Sequence, residues 1–155
     1  MLKGIDPLLS PDLLHALAQM GHGDMIALVD RNFPAHSVNE RVIRLDGADV
    51  VSAGRAVLGL LPLDTFVPEP VARMEVVADP GGRPAVQTDF LAVVAEEAGR
   101  PVAVEALERQ AFYDRARAAF AVVITGEERP YGCFLLVKGV LPEFAPEFAP
   151  EFAPA

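Results

Sequence analysis

The chain has 155 residues, 52% of them hydrophobic, with a formal net charge of −9 and one cysteine, Cys133. That length predicts one domain with one sizeable core; the negative charge argues against nucleic acid and anionic membrane surfaces as partners, and one thiol excludes an internal disulfide. The first ten residues lack the pattern of a signal peptide and no apolar run approaches a membrane span, so the default expectation is a cytoplasmic location.

Ser10-Pro11-Asp12 predicts a helix start, with Ser10 as cap, Pro11 at the first helical position and Asp12 complementing the helix dipole. Leu13, Leu14, Leu17 and Met20 then share a face, and Gly21 reads as the stop. Residues 25–29 are wholly apolar and predict a strand buried on both faces, ending at Asp30. Residues 31–40 read as a loop and 42–45 as a second strand. Residues 48–61 read as a helix weakened by Gly54 and Gly59. A Pro-broken connection over 62–70 leads to 73–76, whose polar/apolar alternation predicts a half-buried strand.

Asp79-Pro80-Gly81-Gly82 marks a turn. A helix is expected over 88–98, ended by Gly99, then a strand over 102–107 and a helix over 109–118. Residues 121–124 are apolar and mostly β-branched and predict a strand. A polar turn over 125–132 precedes a closing strand over 134–137. This alternation predicts an α/β domain over 1–141: a mainly parallel sheet with helices on its faces. Ligands of such sheets bind beyond the carboxyl ends of the strands, where Asp30 and the 125–132 turn fall. Residues 142–155 differ: Pro-Glu-Phe-Ala recurs three times from Pro142, and a proline every fourth residue forbids a continuous helix. They read as an extended, mobile tail, with docking of its phenylalanines on a neighbouring subunit as the alternative.

Several residues can carry chemistry. His22 sits between Gly21 and Gly23, which let the backbone turn sharply, and histidine is the side-chain type suited to giving and taking protons. Asp24 is the nearby carboxylate that would orient it. Asp30 needs a partner at the end of an apolar strand, either by capping the turn at Phe33-Pro34 or by binding ligand hydroxyls. His36 follows in the same loop, but two histidines and two aspartates there match no zinc spacing, so no metal is expected. Arg109 starts a helix directly after a strand, to pair with Glu105 or Glu108 or to donate to a ligand. Tyr113 is a core aromatic with a polar tip. Tyr131-Gly132-Cys133 follows Pro130 in the late turn, where Tyr131 packs or donates to a ligand.

Together these segments resemble a known family. Met20-Gly21-His22-Gly23-Asp24, the run from Asp30 through Phe33-Pro34-Ala35-His36-Ser37, Val42-Ile43-Arg44, Ala111-Phe112-Tyr113, Val123-Ile124-Thr125-Gly126-Glu127 and Tyr131-Gly132 look like the L-fucose mutarotase family, which is related to the bacterial ribose pyranases. The resemblance spans about 1–141. It implies a three-layer α/β/α fold, a monosaccharide substrate (L-fucose first), no organic cofactor, and self-association into a ring, often a decamer, whose neighbouring subunits complete each site. By position His22 matches the family's proton donor, and Asp30, Arg109 and Tyr131 its sugar-binding residues. Cys133 stands where the family usually has Asn, so a side-chain sugar contact there is lost or changed. The implied activity is α/β anomer exchange of a pyranose by acid–base ring opening. The alternatives are pyranose–furanose exchange of the ribose pyranase type and non-catalytic sugar binding.

Overall fold

In the computed structural model, which describes residues 1–141, α1 (Pro11–Gln19) begins as the sequence predicts. Ser10 Oγ accepts the Leu13 N–H at 3.3 Å, so the side chain satisfies an amide that the helix leaves free. The helix stops at Met20, one residue before Gly21. β1 (Met25–Val29) and β2 (Val42–Leu45) fall at the expected positions, and a short α2 (Ala35–Val38) lies inside the stretch read as loop. α3 (Val50–Leu58) is capped by Asp49, whose carboxylate accepts Ser52 N–H at 2.8 Å. β3 (Val71–Met74), α4 (Ala85–Ala98), β4 (Val104–Leu107), α5 (Arg109–Ala118), β5 (Ala121–Thr125) and β6 (Phe134–Val137) complete the order. The repeat tail at 142–155, with both readings of it, lies outside the described residues.

The strands form one sheet in the order β2-β5-β1-β6-β3-β4. Strands β2, β5 and β1 are parallel neighbours, as are β3 and β4. β6 runs antiparallel between β1 and β3 and joins the two parallel groups. The sheet is therefore mainly parallel. Successive strand side chains point to opposite faces, so Ile26 and Leu28 join the core under α1, α3 and α4. Ala27 and Val29 join the core under α2 and α5. Three layers, helix on sheet on helix, result.

Two departures from the sequence reading have local causes. The strand expected at 73–76 is instead Val71–Met74, buried on both faces. Arg73 reads as a solvent-facing residue, yet it is only 5% exposed, because its guanidinium turns inward to carbonyls at Pro80 and Gly82. Gly54 reads as a helix weakener, yet it lies where α3 approaches α4. A Cβ there would sit 2.5 Å from the Phe90 ring, which stacks on Phe134 with centroids 3.7 Å apart.

Candidate functional site

Residues singled out by sequence gather at opposite ends of the sheet. At the carboxyl end of β1, Asp30 is 6% exposed. One oxygen accepts the Asn32 N–H at 3.0 Å, and the other receives the Cys133 thiol at 3.4 Å. Cys133 lies here because β6 is antiparallel: its first residues meet the last residues of β1, with Leu28 opposite Phe134. Burial, and then the neighbouring Asp30 charge, push the thiol well above its ordinary pKa, so it stays protonated as a weak donor. Tyr131, two residues earlier, adopts a left-handed backbone with φ +65°, and its phenol oxygen accepts the Val77 N–H at 3.2 Å.

The turn that carries Tyr131 is anchored beneath. Thr125 Oγ1 donates to the Val29 carbonyl at 2.8 Å and accepts the Glu127 N–H. The buried Glu127 carboxylate accepts from the Arg129 side chain and backbone and, at 3.4 Å, from Val50 N–H. The Arg129 hydrogen bonds outweigh burial and hold the Glu127 carboxyl below its usual range. Arg109, exposed at the start of α5, makes no ion pair or side-chain hydrogen bond among the described residues; Glu105 pairs with Arg115 instead. Three strand spacings, about 14 Å, separate the Arg109 edge at β4 from β1. The Tyr113 ring packs edge-on to Phe33, with centroids 5.2 Å apart. His36 is drawn toward the other edge, where its Nε2 accepts from Arg44 on β2 at 3.3 Å.

At the amino end of β1 stands His22. Its Nε2 meets Asp64 Oδ1 at 3.0 Å; the His22 side chain is 44% exposed and that of Asp64 only 2%. Burial pushes the Asp64 carboxyl up, but Phe66 N–H, His22 and Thr65 N–H together bring it below its ordinary range. An ionised carboxylate only accepts, so Nε2 carries the hydrogen of this pair and Nδ1 faces away from it. Asp24 does not take the orienting role: its Oδ2 accepts the Gly21 N–H at 2.7 Å and shapes the bend. The Phe66 ring, from a residue 71% exposed, packs 5.1 Å from the imidazole. Beside it opens a largely apolar cleft of about 520 Å³, lined by Leu60, Thr65, Phe66, Arg100, Val140 and Leu141 among others.

The end of β6 assembles this half. Lys138 C=O accepts Gly23 N–H at 2.8 Å, and Val137 C=O accepts Asp64 N–H at 3.0 Å. Lys138 Nζ donates to the Leu17 and Met20 carbonyls at the end of α1, where a cation also complements the helix dipole. β1 has five residues at about 3.3 Å each, so about 16 Å of strand separates His22 from Asp30.

Comparison with known proteins is decisive about ancestry. The model of the RbsD / FucU transport protein family matches residues 3–141. The chain belongs to that family. It is 49% identical over 142 residues to an L-fucose mutarotase of Glaesserella parasuis, covering 92% of this chain and 97% of that one. Among solved structures, the fucose mutarotase of Streptococcus pneumoniae in complex with L-fucose superposes with a TM-score of 0.84. It is 36% identical, covering 90% of this chain and 99% of that one. FucU from Bifidobacterium longum gives the same TM-score at 37% identity, with the same coverage.

For this RbsD / FucU chain, then, the fold brings Asp30, Cys133 and Tyr131 to one end of the sheet, with Tyr113 against Phe33 and Arg109 at the edge. His22 is at the other end. Sequence reasoning missed Asp64. It lies in the Pro-broken 62–70 connection, 42 positions from the imidazole it contacts, and only the β6 pairing brings the two together. The available signal was a lone aspartate directly after the apolar run Leu60-Leu61-Pro62-Leu63. Among the described residues no cluster of three or more His, Cys, Asp or Glu is arranged to hold a metal, and no helix is long and apolar enough to cross a membrane.

Proposed function

We propose that this protein exchanges the α and β anomers of a pyranose, L-fucose first, by acid–base ring opening in a site shared between two copies of the chain. The observation that carries this reading is the near full-length likeness to L-fucose mutarotases, combined with an imidazole whose Nε2 is engaged by a buried carboxylate. That arrangement leaves the other ring nitrogen, Nδ1, to give and take a proton.

The chemistry moves protons only, so it calls for neither metal nor organic cofactor. The anomeric hydroxyl gives its proton to solvent water, the ring oxygen gains one from the protein, and the bond from that oxygen to the anomeric carbon breaks, giving the open aldehyde. Rotation about the adjoining carbon–carbon bond exposes the other face of the carbonyl, and the steps reverse. His22, as the imidazolium, supplies the proton to the ring oxygen from Nδ1, because its Nε2–H is held by Asp64. Asp30 accepts sugar hydroxyls, Tyr131 and Arg109 donate to sugar oxygens, and Cys133, whose thiol hydrogen goes to Asp30, helps to hold that carboxylate in place. Asp64 fixes the imidazole tautomer; Tyr113 and Asp24 support the two loops. His36, paired with Arg44, supports the loop that follows Asp30.

The two half-sites are about 16 Å apart along β1, far more than a pyranose ring spans. The His22 end of one copy therefore faces the Asp30 end of another, and the exposed Phe66 and Leu141 side chains give that contact an apolar surface. Closed rings, decamers in the extreme, satisfy every such contact. A cytoplasmic setting suits a reaction on a free sugar. Saturation-transfer NMR on the anomer signals of L-fucose tests the reading, with ribose and galactose as a panel. Added protein should speed α/β exchange for L-fucose, and His22→Ala should abolish the effect. Unchanged exchange across the panel overturns the reading, and furanose–pyranose exchange of ribose alone reassigns it to a pyranase.

A further inference from the structure

The carboxyl-end cluster depends on a side chain that none of the preceding chemistry uses. Gln87, in the first turn of α4, is 0% exposed. Its Nε2 donates to two carbonyls, Met74 at 2.8 Å and Tyr131 at 3.1 Å. Its Oε1 accepts from Arg73 Nη1 at 3.2 Å. Arg73 in turn donates to Gly82 C=O at 3.3 Å and Pro80 C=O at 3.0 Å. Its partners are all neutral oxygens, and its Nε has none among the described residues. A buried amide with both ends engaged, backed by a buried guanidinium, is a rigid bracket. It ties the end of β3 and the 79–82 turn to the turn that carries Tyr131.

Tyr131 needs such a bracket. Its φ of +65° is a conformation that a residue bearing a Cβ disfavours. The next residue cannot yield either, because a Cβ on Gly132 would lie 3.1 Å from Val86 and from Glu127. The other end of Tyr131 is held by Val77 N–H, whose hydrogen occupies one side of the phenol oxygen. That bond occupies the oxygen as acceptor, leaves the phenolic hydrogen to be donated elsewhere and makes it a better donor. Both grips on Tyr131 therefore come through the segment that Gln87 and Arg73 organise: the carbonyl directly, and the phenol by way of Val77, three residues beyond Met74.

We propose that Gln87 is a positioning residue for Tyr131: it holds the left-handed turn so that the phenol donates its hydrogen to the bound sugar. This deepens the reading of the site given above and rests on it. The residue itself touches no substrate, and Arg73 stiffens its amide from behind.

The test combines kinetics with a substrate-free probe. Gln87→Met keeps the length of the side chain and removes all three hydrogen bonds; Gln87→Glu keeps the bond from Arg73 but loses both donations to carbonyls, and serves where the Met variant does not fold. In either, kcat for L-fucose anomer exchange should fall by up to about a hundredfold, the lower limit of what a positioned proton-transfer group supplies. In a Tyr131→Phe background the same substitution should produce no further fall, because its whole effect runs through the phenol. Losses that multiply in the double variant would show a merely structural role and overturn the proposal. The chain has two tyrosines, so tyrosine labelled with ¹³C at the ring ζ carbon gives two signals, assigned by Tyr131→Phe. Gln87→Met or Gln87→Glu should shift the Tyr131 signal and leave Tyr113 in place; an unmoved Tyr131 signal overturns the proposal. This probe needs no turnover, so a protein that exchanges no sugar defeats the functional reading while the NMR still decides the positioning claim.

Discussion

His22 and Asp64 show what a buried carboxylate adds to an exposed imidazole. The carboxylate is held ionised against its burial by backbone N–H groups of its own loop together with the ring. Asp64→Asn keeps the size of the side chain but exchanges a charge-assisted hydrogen bond for a neutral one, worth about 1–1.5 kcal/mol less. The exchange rate should therefore drop about tenfold, while circular dichroism stays native. A rate equal to that of the unaltered protein would remove Asp64 from the proton-transfer apparatus. Asp24 is the instructive contrast. It is nearer in sequence, and sequence reasoning put it in the orienting role, but a glycine-flanked bend used its carboxylate for its own amide at Gly21. Proximity along the chain favours local backbone hydrogen bonds over side-chain pairs.

At the scale of elements, apolar runs and capping residues made most of the sheet legible. β1, β2, β6 and α5 fall where composition put them, because uninterrupted apolar stretches and a cap are local signals. What failed was β3, where Arg73 imitated a solvent-facing position, and Gly54, whose meaning lies in Phe90, 36 residues away. Gly54→Ala should raise intrinsic helix propensity by about 1 kcal/mol, yet it drives a methyl group into a ring already pinned by Phe134. Overpacking of this kind costs about 1–3 kcal/mol, so a net loss is expected. Urea unfolding should show a lower midpoint with an unchanged slope; a higher midpoint would mean that Phe90 has room to move. The β5–β6 turn carries a second expectation. Glu127 titrates below its usual 4.5 when folded, chiefly through Arg129. Its contribution is thus complete above the unfolded value and disappears as pH falls through the folded one. Melting temperature should hold from neutrality to about pH 5 and decline below it. Glu127→Gln should melt lower at neutral pH and lose part of that decline.

For the whole molecule, the order of the candidate site residues is legible along the chain, but not that the fold holds them apart. Local patterns report which residues flank a strand; the direction of β6, which carries the Tyr131 turn on one end and secures the His22 loop with the other, follows from tertiary pairing alone. If two copies share each site, His22→Ala and Asp30→Asn chains are each inactive but complementary. Co-expressed with different affinity tags and purified through both, they should regain part of the exchange activity. A mixture as silent as its components would place both residues in the same copy's site.

The antiparallel course of β6 has a further result. Four residues, Phe134–Val137, set the spacing between the phenol-bearing turn and the imidazole-bearing bend. A slip of one position would turn every side chain of the strand to the opposite layer, lifting Phe134 from its stack on Phe90 and Lys138 from the α1 carbonyls at the same stroke. Neither extremity can be retuned without re-aiming the other, so variation in this protein should accumulate in the loops before and after β6 and spare its length.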